Sequence, residues 1–244
     1  MIGLPDRIRA VLFDLDGVLT GTAALHREAW RDTFDEFLRS RDPEHFVPFS
    51  DRDYAEYVDG RPRADGVRTF LASRGITLPE GTGDDPPTTN TVHGVGNRKN
   101  ELVRKIMAER GVSPYPGSRR YLAAARDAGL GIGVVTSSAN GAAVLDAAQL
   151  TPFIQTLVDG TVITRDGLRG KPAPDSFLAG ARALGVAPAD TAVFEDALAG
   201  VAAGRAGGFG YVVGVDRADQ AAALREHGAD VVVSDLADLL ELHS

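Results

Sequence analysis

Ala10-Val11-Leu12-Phe13-Asp14-Leu15-Asp16-Gly17 is the stretch that decides how this chain folds. Four apolar residues that stop at acidic ones describe a buried strand with polar groups at its carboxyl end. The same rhythm recurs from Ser113 onward, where residues 132–135, 192–194, 211–215 and 231–233 form short β-branched or aromatic runs. Between these runs, residues 118–127, 139–148, 175–184, 197–206 and 218–227 carry Ala and Leu at helical spacing. Gly129, Gly185 and Gly228 follow several of these segments, where left-handed helix caps are expected. Strand alternating with helix predicts an α/β fold, a Rossmann-like parallel sheet covered on both faces. Arg165-Asp166-Gly167-Leu168 reads as a tight hairpin turn.

After the first strand the rhythm is interrupted. Leu25, Trp30, Phe34, Phe37 and Leu38 make one helical apolar face, Val67, Phe70 and Leu71 a second, and Leu102, Val103, Ile106 and Met107 a third. The expected organisation is therefore a core of residues 1–20 and 113–244 with a helical cap, residues 21–112, inserted into it. Residues 78–90 are rich in Gly, Pro, Thr and Asp, and read as a mobile loop within the cap.

Composition narrows the chemistry. The 244 residues include no cysteine, which removes disulfide scaffolds, thiolate metal sites and cysteine nucleophiles and leaves carboxylate, hydroxyl, His and Lys chemistry. A net charge of −8, with no long basic run, argues against nucleic acid as a partner. The longest charge-free run, residues 128–145, is broken by Gly, Thr, Ser and Asn, and the N-terminus carries Asp6, Arg7 and Arg9 where a leader would be apolar. A cytoplasmic monomer with no membrane partner is expected.

In an open parallel sheet, ligands bind beyond the carboxyl ends of the strands. The polar residues at those ends are Asp14 and Asp16, then Thr136 and Ser137, then Glu195 and Asp196, joined by Lys171. Carboxylates gathered in this way repel one another unless a hard cation sits among them, and a few oxygen ligands with retained waters is the Mg²⁺ pattern. A phosphate would be held by the same cation, by Lys171 and by hydroxyl and backbone donors. Lysine is rare here: it occurs only at positions 99, 105 and 171, against 23 arginines. Lys171 is therefore read as a point charge chosen for phosphate, and Lys99 more weakly so, since its helix also needs solvent-facing charge.

Phe13-Asp14-Leu15-Asp16-Gly17-Val18, Thr136-Ser137-Ser138, Gly170-Lys171-Pro172-Ala173-Pro174-Asp175 and Phe194-Glu195-Asp196-Ala197, in that order, resemble the four motifs of the haloacid dehalogenase superfamily. The resemblance implies that Asp14 is a nucleophile forming an aspartyl phosphate and that Asp16 is the general acid and base. It further implies that Mg²⁺ is held by Asp14, the backbone carbonyl of Asp16, Glu195 and Asp196, with Lys171 and Ser137 completing the catalytic set. Thr22, His26 and Trp30, Gly60 and Arg63, Arg98-Lys99-Asn100, and Ser137 with Asn140 are similar to the β-phosphoglucomutase subgroup. That narrower likeness makes Thr22, His26, Gly60, Arg63, Lys99, Ser138 and Asn140 substrate-binding positions, with Arg63 on the distal phosphate and His26 reporting substrate. The stretch Thr136-Ser137-Ser138-Ala139-Asn140 departs from the subgroup, being one residue shorter and lacking its Lys.

Each of these positions also has a plainer reading. His26 near a helix start suits a cap or surface role, Arg61 and Arg63 suit a polar turn around Pro62, and the cap aromatics suit the cap's own core. His45, His93, His227 and His243 match no motif. Three functions follow from the set as a whole. The first is phosphoryl transfer between C1 and C6 of glucose phosphate through a bisphosphate; the second is a sugar-phosphate phosphatase on the same core, the two differing in how far the cap excludes water. The third is a phospho-accepting signalling module, in which, however, the acidic pair precedes the accepting Asp.

Overall fold

The computed structural model of the protein describes residues 2–241; His243 lies outside them. Six strands, β1 (Ala10–Phe13), β2 (Gly131–Val135), β3 (Thr156–Val158), β4 (Thr191–Glu195), β5 (Tyr211–Val215) and β6 (Val231–Val233), form one parallel sheet in the order β3-β2-β1-β4-β5-β6. Every residue of β1 is buried, as its unbroken apolar run requires. The order reverses between β1 and β4, which opens a crevice at the carboxyl ends of these two strands. Register then determines what faces that crevice. Phe13 lies level with Val134 and Phe194, so the next row across three adjacent strands is Val135, Asp14 and Glu195. The Asp14 amide donates to the Phe194 carbonyl at 2.9 Å and holds the row in step.

Two compact units are present, one of Met1–Gly21 with Val112–Ser244 and one of Thr22–Gly111. In the second unit, α1 (Thr22–Arg41), α2 (Asp51–Asp53), which runs into a single π turn over Tyr54–Val58, α3 (Arg63–Ser73) and α4 (Val92–Arg110) supply the helices. Ser50 and Asp53 start α2 with reciprocal side-chain-to-backbone bonds, a capping box. The apolar faces of these helices meet in an aromatic core. Trp30 stacks on Phe34 with centroids 4.9 Å apart, and Phe34 meets Phe70 at 4.2 Å. Residues 78–90, expected to be mobile, are instead pinned. The Val92 amide donates to the Pro79 carbonyl at 3.0 Å, the Thr89 amide to Pro86 at 2.9 Å, and the Thr82 and Thr91 hydroxyls both donate to Asp85. Side-chain oxygens at Thr and Asp satisfy backbone and one another locally, which is how a polar segment gains fixed structure without an apolar core.

The sheet unit carries α5 (Pro116–Asp127), α6 (Gly141–Ala147), α7 (Gly160–Arg165), α8 (Asp175–Leu184), α9 (Leu198–Ala206), α10 (Ala221–Glu226) and α11 (Asp238–Glu241). Alternate residues of β1 serve opposite faces: Leu12 joins Phe177 and Ala181 of α8 in one buried cluster, while Phe13 meets Tyr121 of α5 edge-on. The sequence Arg165-Asp166-Gly167-Leu168 is not a hairpin. It ends α7, with the Asp166 amide donating to Val162 and the Leu168 amide to Ile163, and the strands on either side of it run parallel. Among the described residues no helix is long and apolar enough to cross a membrane.

Candidate active site

The row of Val135, Asp14 and Glu195 is bridged by one ammonium. Lys171 Nζ donates to Asp14 Oδ1 at 2.6 Å, to Glu195 Oε1 at 2.6 Å and to the Val135 carbonyl at 3.1 Å, so all three of its protons are used. Lys171 is only 2% exposed and lies 4.8 Å from the centroid of Phe177. A charge this deep persists only if paired and hydrogen-bonded. Burial alone would favour the neutral amine, but the charges of Asp14 and Glu195 outweigh it and hold the Lys171 pKa above its ordinary value. For Asp14, burial pushes the carboxyl pKa well up; Lys171 opposes this, and Glu195 and Asp16 add to it.

Asp196 follows Glu195 at the end of β4 and is buried beside it. A carboxylate oxygen from each of Asp14, Glu195 and Asp196 lies within 4.8 Å of the others. Few, buried, hard oxygen donors carrying more negative charge than one lysine neutralises fit a divalent cation, and such a cation would counter the burial that raises Asp14. The Asp16 carboxylate is not part of this cluster. Instead the Thr136 hydroxyl donates to Asp16 Oδ2 at 3.3 Å, which sets the two carboxyls after β1 on different partners.

Ser137, Ser138 and Asn140 occupy the turn after β2. The Ser138 amide donates to Thr136 Oγ1 at 3.1 Å and the Asn140 amide to Ser138 Oγ at 3.2 Å, so the two hydroxyls shape the turn. In the helical unit the predicted positions form their own groupings. Lys99, 5% exposed, is not a solvent-facing cation: its Nζ lies 2.9 Å from His26 Nδ1 and 4.9 Å from the centroid of the Trp30 ring. Thr22 is buried at the start of α1, Gly60 lies in the turn before α3, and Arg63 is the first residue of α3.

A model of the haloacid dehalogenase-like hydrolases matches residues 8–208. The chain belongs to that family. A β-phosphoglucomutase of Mycobacterium tuberculosis is 56% identical over 98% of this chain and 94% of its own length. A β-phosphoglucomutase of Bacillus subtilis is 32% identical over 96% of this chain and 93% of its own. The solved β-phosphoglucomutase of Clostridium difficile superimposes with a TM-score of 0.77 at 23% identity, covering 95% of this chain and 93% of that one, and so shares the fold. This is a β-phosphoglucomutase-like member of the family.

Two residues that hold the site lay beyond the sequence reading. In the loop after β5, Arg217 Nε donates to the Gly17 carbonyl at 2.8 Å and Gln220 Nε2 donates to the Asp196 carbonyl at 2.9 Å. Arg217 also donates to the Ser234 carbonyl and lies over the Tyr115 ring, 3.9 Å from its centroid. The signal was present, because Val215 ends an apolar run and the rule applied at Asp14 and Glu195 extends to Asp216-Arg217.

Proposed function

We propose that this protein interconverts β-glucose 1-phosphate and glucose 6-phosphate, using an aspartyl-phosphate enzyme and a bisphosphate intermediate. The separation of the two carboxyls after β1, one held by Lys171 and the other by Thr136, supports the phosphoryl transfer, and the 56% identity to a β-phosphoglucomutase over 98% of the chain favours the mutase over a phosphatase on the same core. Lys171 fixes the Asp14 carboxylate by Oδ1, orienting it for in-line attack on phosphorus and countering charge on the transferring oxygens. Asp16, two residues on and hydrogen-bonded to a neutral hydroxyl, is placed to exchange a proton with the sugar oxygen.

Mg²⁺ would be held by the carboxylates of Asp14 and Asp196 and by the Asp16 carbonyl, with Glu195 behind them, and when bound it supplies positive charge to the phosphoryl oxygens. In the forward direction the C6 hydroxyl of β-glucose 1-phosphate attacks the phosphorus of phosphorylated Asp14. Asp16 takes the hydroxyl proton and the Asp14–phosphorus bond breaks, giving glucose 1,6-bisphosphate. After the bisphosphate reorients, Asp14 attacks the C1 phosphate and Asp16 returns the proton to the C1 oxygen, releasing glucose 6-phosphate. Arg63 takes the distal phosphate, Lys99 and His26 the substrate's polar groups together with Thr22 and Gly60, and Ser137, Ser138 and Asn140 the donors after β2.

Phosphorus NMR tests this directly. β-Glucose 1-phosphate with Mg²⁺ and a trace of glucose 1,6-bisphosphate should give glucose 6-phosphate faster than free phosphate, with the α anomer reacting poorly. Release of phosphate from several sugar phosphates without isomerisation would replace the mutase with a phosphatase.

A further inference from the structure

Arg63 is a half-buried cation. Among the described residues its one hydrogen bond is from Nη2 to Asn97 Oδ1, at 3.0 Å, and no carboxylate pairs with it. Burial accordingly pulls its pKa down. Its side chain lies against α4 at Gly96, where a Cβ would stand 3.1 Å from Arg63 Cγ. The partner amide has every group assigned. Asn97 Nδ2 donates to the carbonyls of Gly83 and Asp85, both at 2.9 Å, so only one orientation of the amide satisfies its neighbours. The next residue continues the pattern, since Arg98 Nε donates to the Pro87 carbonyl at 2.8 Å. Carbonyls 83, 85 and 87 are thus received by two adjacent side chains of α4, and the first of these also holds Arg63.

We propose that Asn97 is a positioning residue for phosphate recognition, locking the Arg63 guanidinium in place and linking it to the conformation of residues 83–87. This inference rests on the reading of Arg63 as the ligand of the distal phosphate. A neutral amide is the partner such a role needs. A carboxylate at 97 would cancel the charge meant for the substrate and could not donate to the two loop carbonyls. Hydrophobic residues would leave those carbonyls and the guanidinium unpartnered.

The test is a double-mutant cycle on full-length protein with β-glucose 1-phosphate as substrate. Asn97→Ala and Arg63→Ala should each lower kcat/KM about 10- to 100-fold, the effect falling mainly on KM, as expected for loss of a bond to a charged group. The double variant should be no worse than Arg63→Ala alone, because Asn97 acts through Arg63. Asn97→Asp is measured beside them, since it loses the loop's two anchors just as Asn97→Ala does and the difference between the two reads the contact with Arg63 alone. It keeps the bond to Arg63 yet cancels its charge, and should raise KM further than Asn97→Ala does. Additive losses, or an Asn97→Asp variant with wild-type KM, would overturn the coupling and leave Arg63 in its role. An Arg63→Ala variant with wild-type KM would instead remove Arg63 from the phosphate site, and this inference with it.

Discussion

Lys171 Nζ sits 2.6 Å from Asp14 Oδ1 and at the same distance from Glu195 Oε1, so one buried ammonium holds the side chains that end two neighbouring strands. Removing it leaves two buried carboxylates facing each other across an empty space. Breaking a buried pair by deleting one partner typically costs about 3–5 kcal/mol. Lys171→Ala should therefore unfold at markedly lower denaturant concentration and lose at least about 10²-fold in kcat, since its charge also serves the transferring phosphoryl group. Wild-type stability in that variant would show that the charge of Asp14 or Glu195 is neutralised by protonation instead.

The two carboxyls after β1 should fail in different ways. Asp14→Asn is nearly isosteric, still accepts from Lys171, and cannot attack phosphorus, so no phosphoenzyme should be detected by mass spectrometry of the intact protein. Asp16→Asn retains a partner for Thr136 and loses proton transfer, a step worth about 10²–10⁴ in rate. It should therefore still accumulate phosphoenzyme from an activated donor such as acetyl phosphate, whose leaving group needs little protonation. Phosphoenzyme on Asp14→Asn, or a wild-type mutase rate for Asp16→Asn, would reverse these assignments.

What the sequence makes legible is set by how local each signal is. β1, β5 and β6 begin and end where their apolar runs do, and α8 spans the residues its Ala and Leu spacing marks, because burial on both faces writes itself into consecutive residues. β3 is three residues at a sheet edge, only partly buried, and α7 is six residues with Val162, Ile163 and Thr164 at its centre; neither is long enough to show a period. The acidic ends of β1 and β4 and the importance of Lys171 were readable from strand-end position and lysine rarity. The three hydrogen bonds of Lys171, the burial of Lys99 and the links from Asn97 and Arg217 were not, because each depends on partners far away in the chain.

The metal requirement should separate Asp196 from Glu195. Both oxygens of Glu195 are already engaged, Oε1 by Lys171 and Oε2 by the Ala197 amide at 3.0 Å. Asp196→Ala should thus raise the Mg²⁺ concentration needed for half-maximal activity more than Glu195→Ala does, by about 10- to 100-fold. Glu195→Ala should instead cost more stability, as it strips a partner from Lys171. A Mg²⁺ titration of activity and a urea melt on both variants check the two halves, and full activity in excess chelator would contradict the first.

Gly17 offers a sharper test of how the acidic site is packed. Its φ is +95°, a conformation that side-chain-bearing residues rarely adopt, and a Cβ built there would overlap the Asp196 carboxylate. Its carbonyl is in turn fixed by Arg217 at 2.8 Å, so the backbone cannot simply swing away. Gly17→Ala should therefore combine a backbone cost of about 1–3 kcal/mol with a displaced Asp196, lowering stability and raising the Mg²⁺ concentration needed for half-maximal activity together. The two contributions separate in an Asp196→Ala background, where the overlap is gone and only the backbone cost persists. There Gly17→Ala should destabilise less than it does in the wild type, with a coupling of about 0.5–3 kcal/mol in urea melts. Strict additivity would mean that the Asp196 carboxylate moves aside freely, and the close approach of Gly17 would then have no part in holding it.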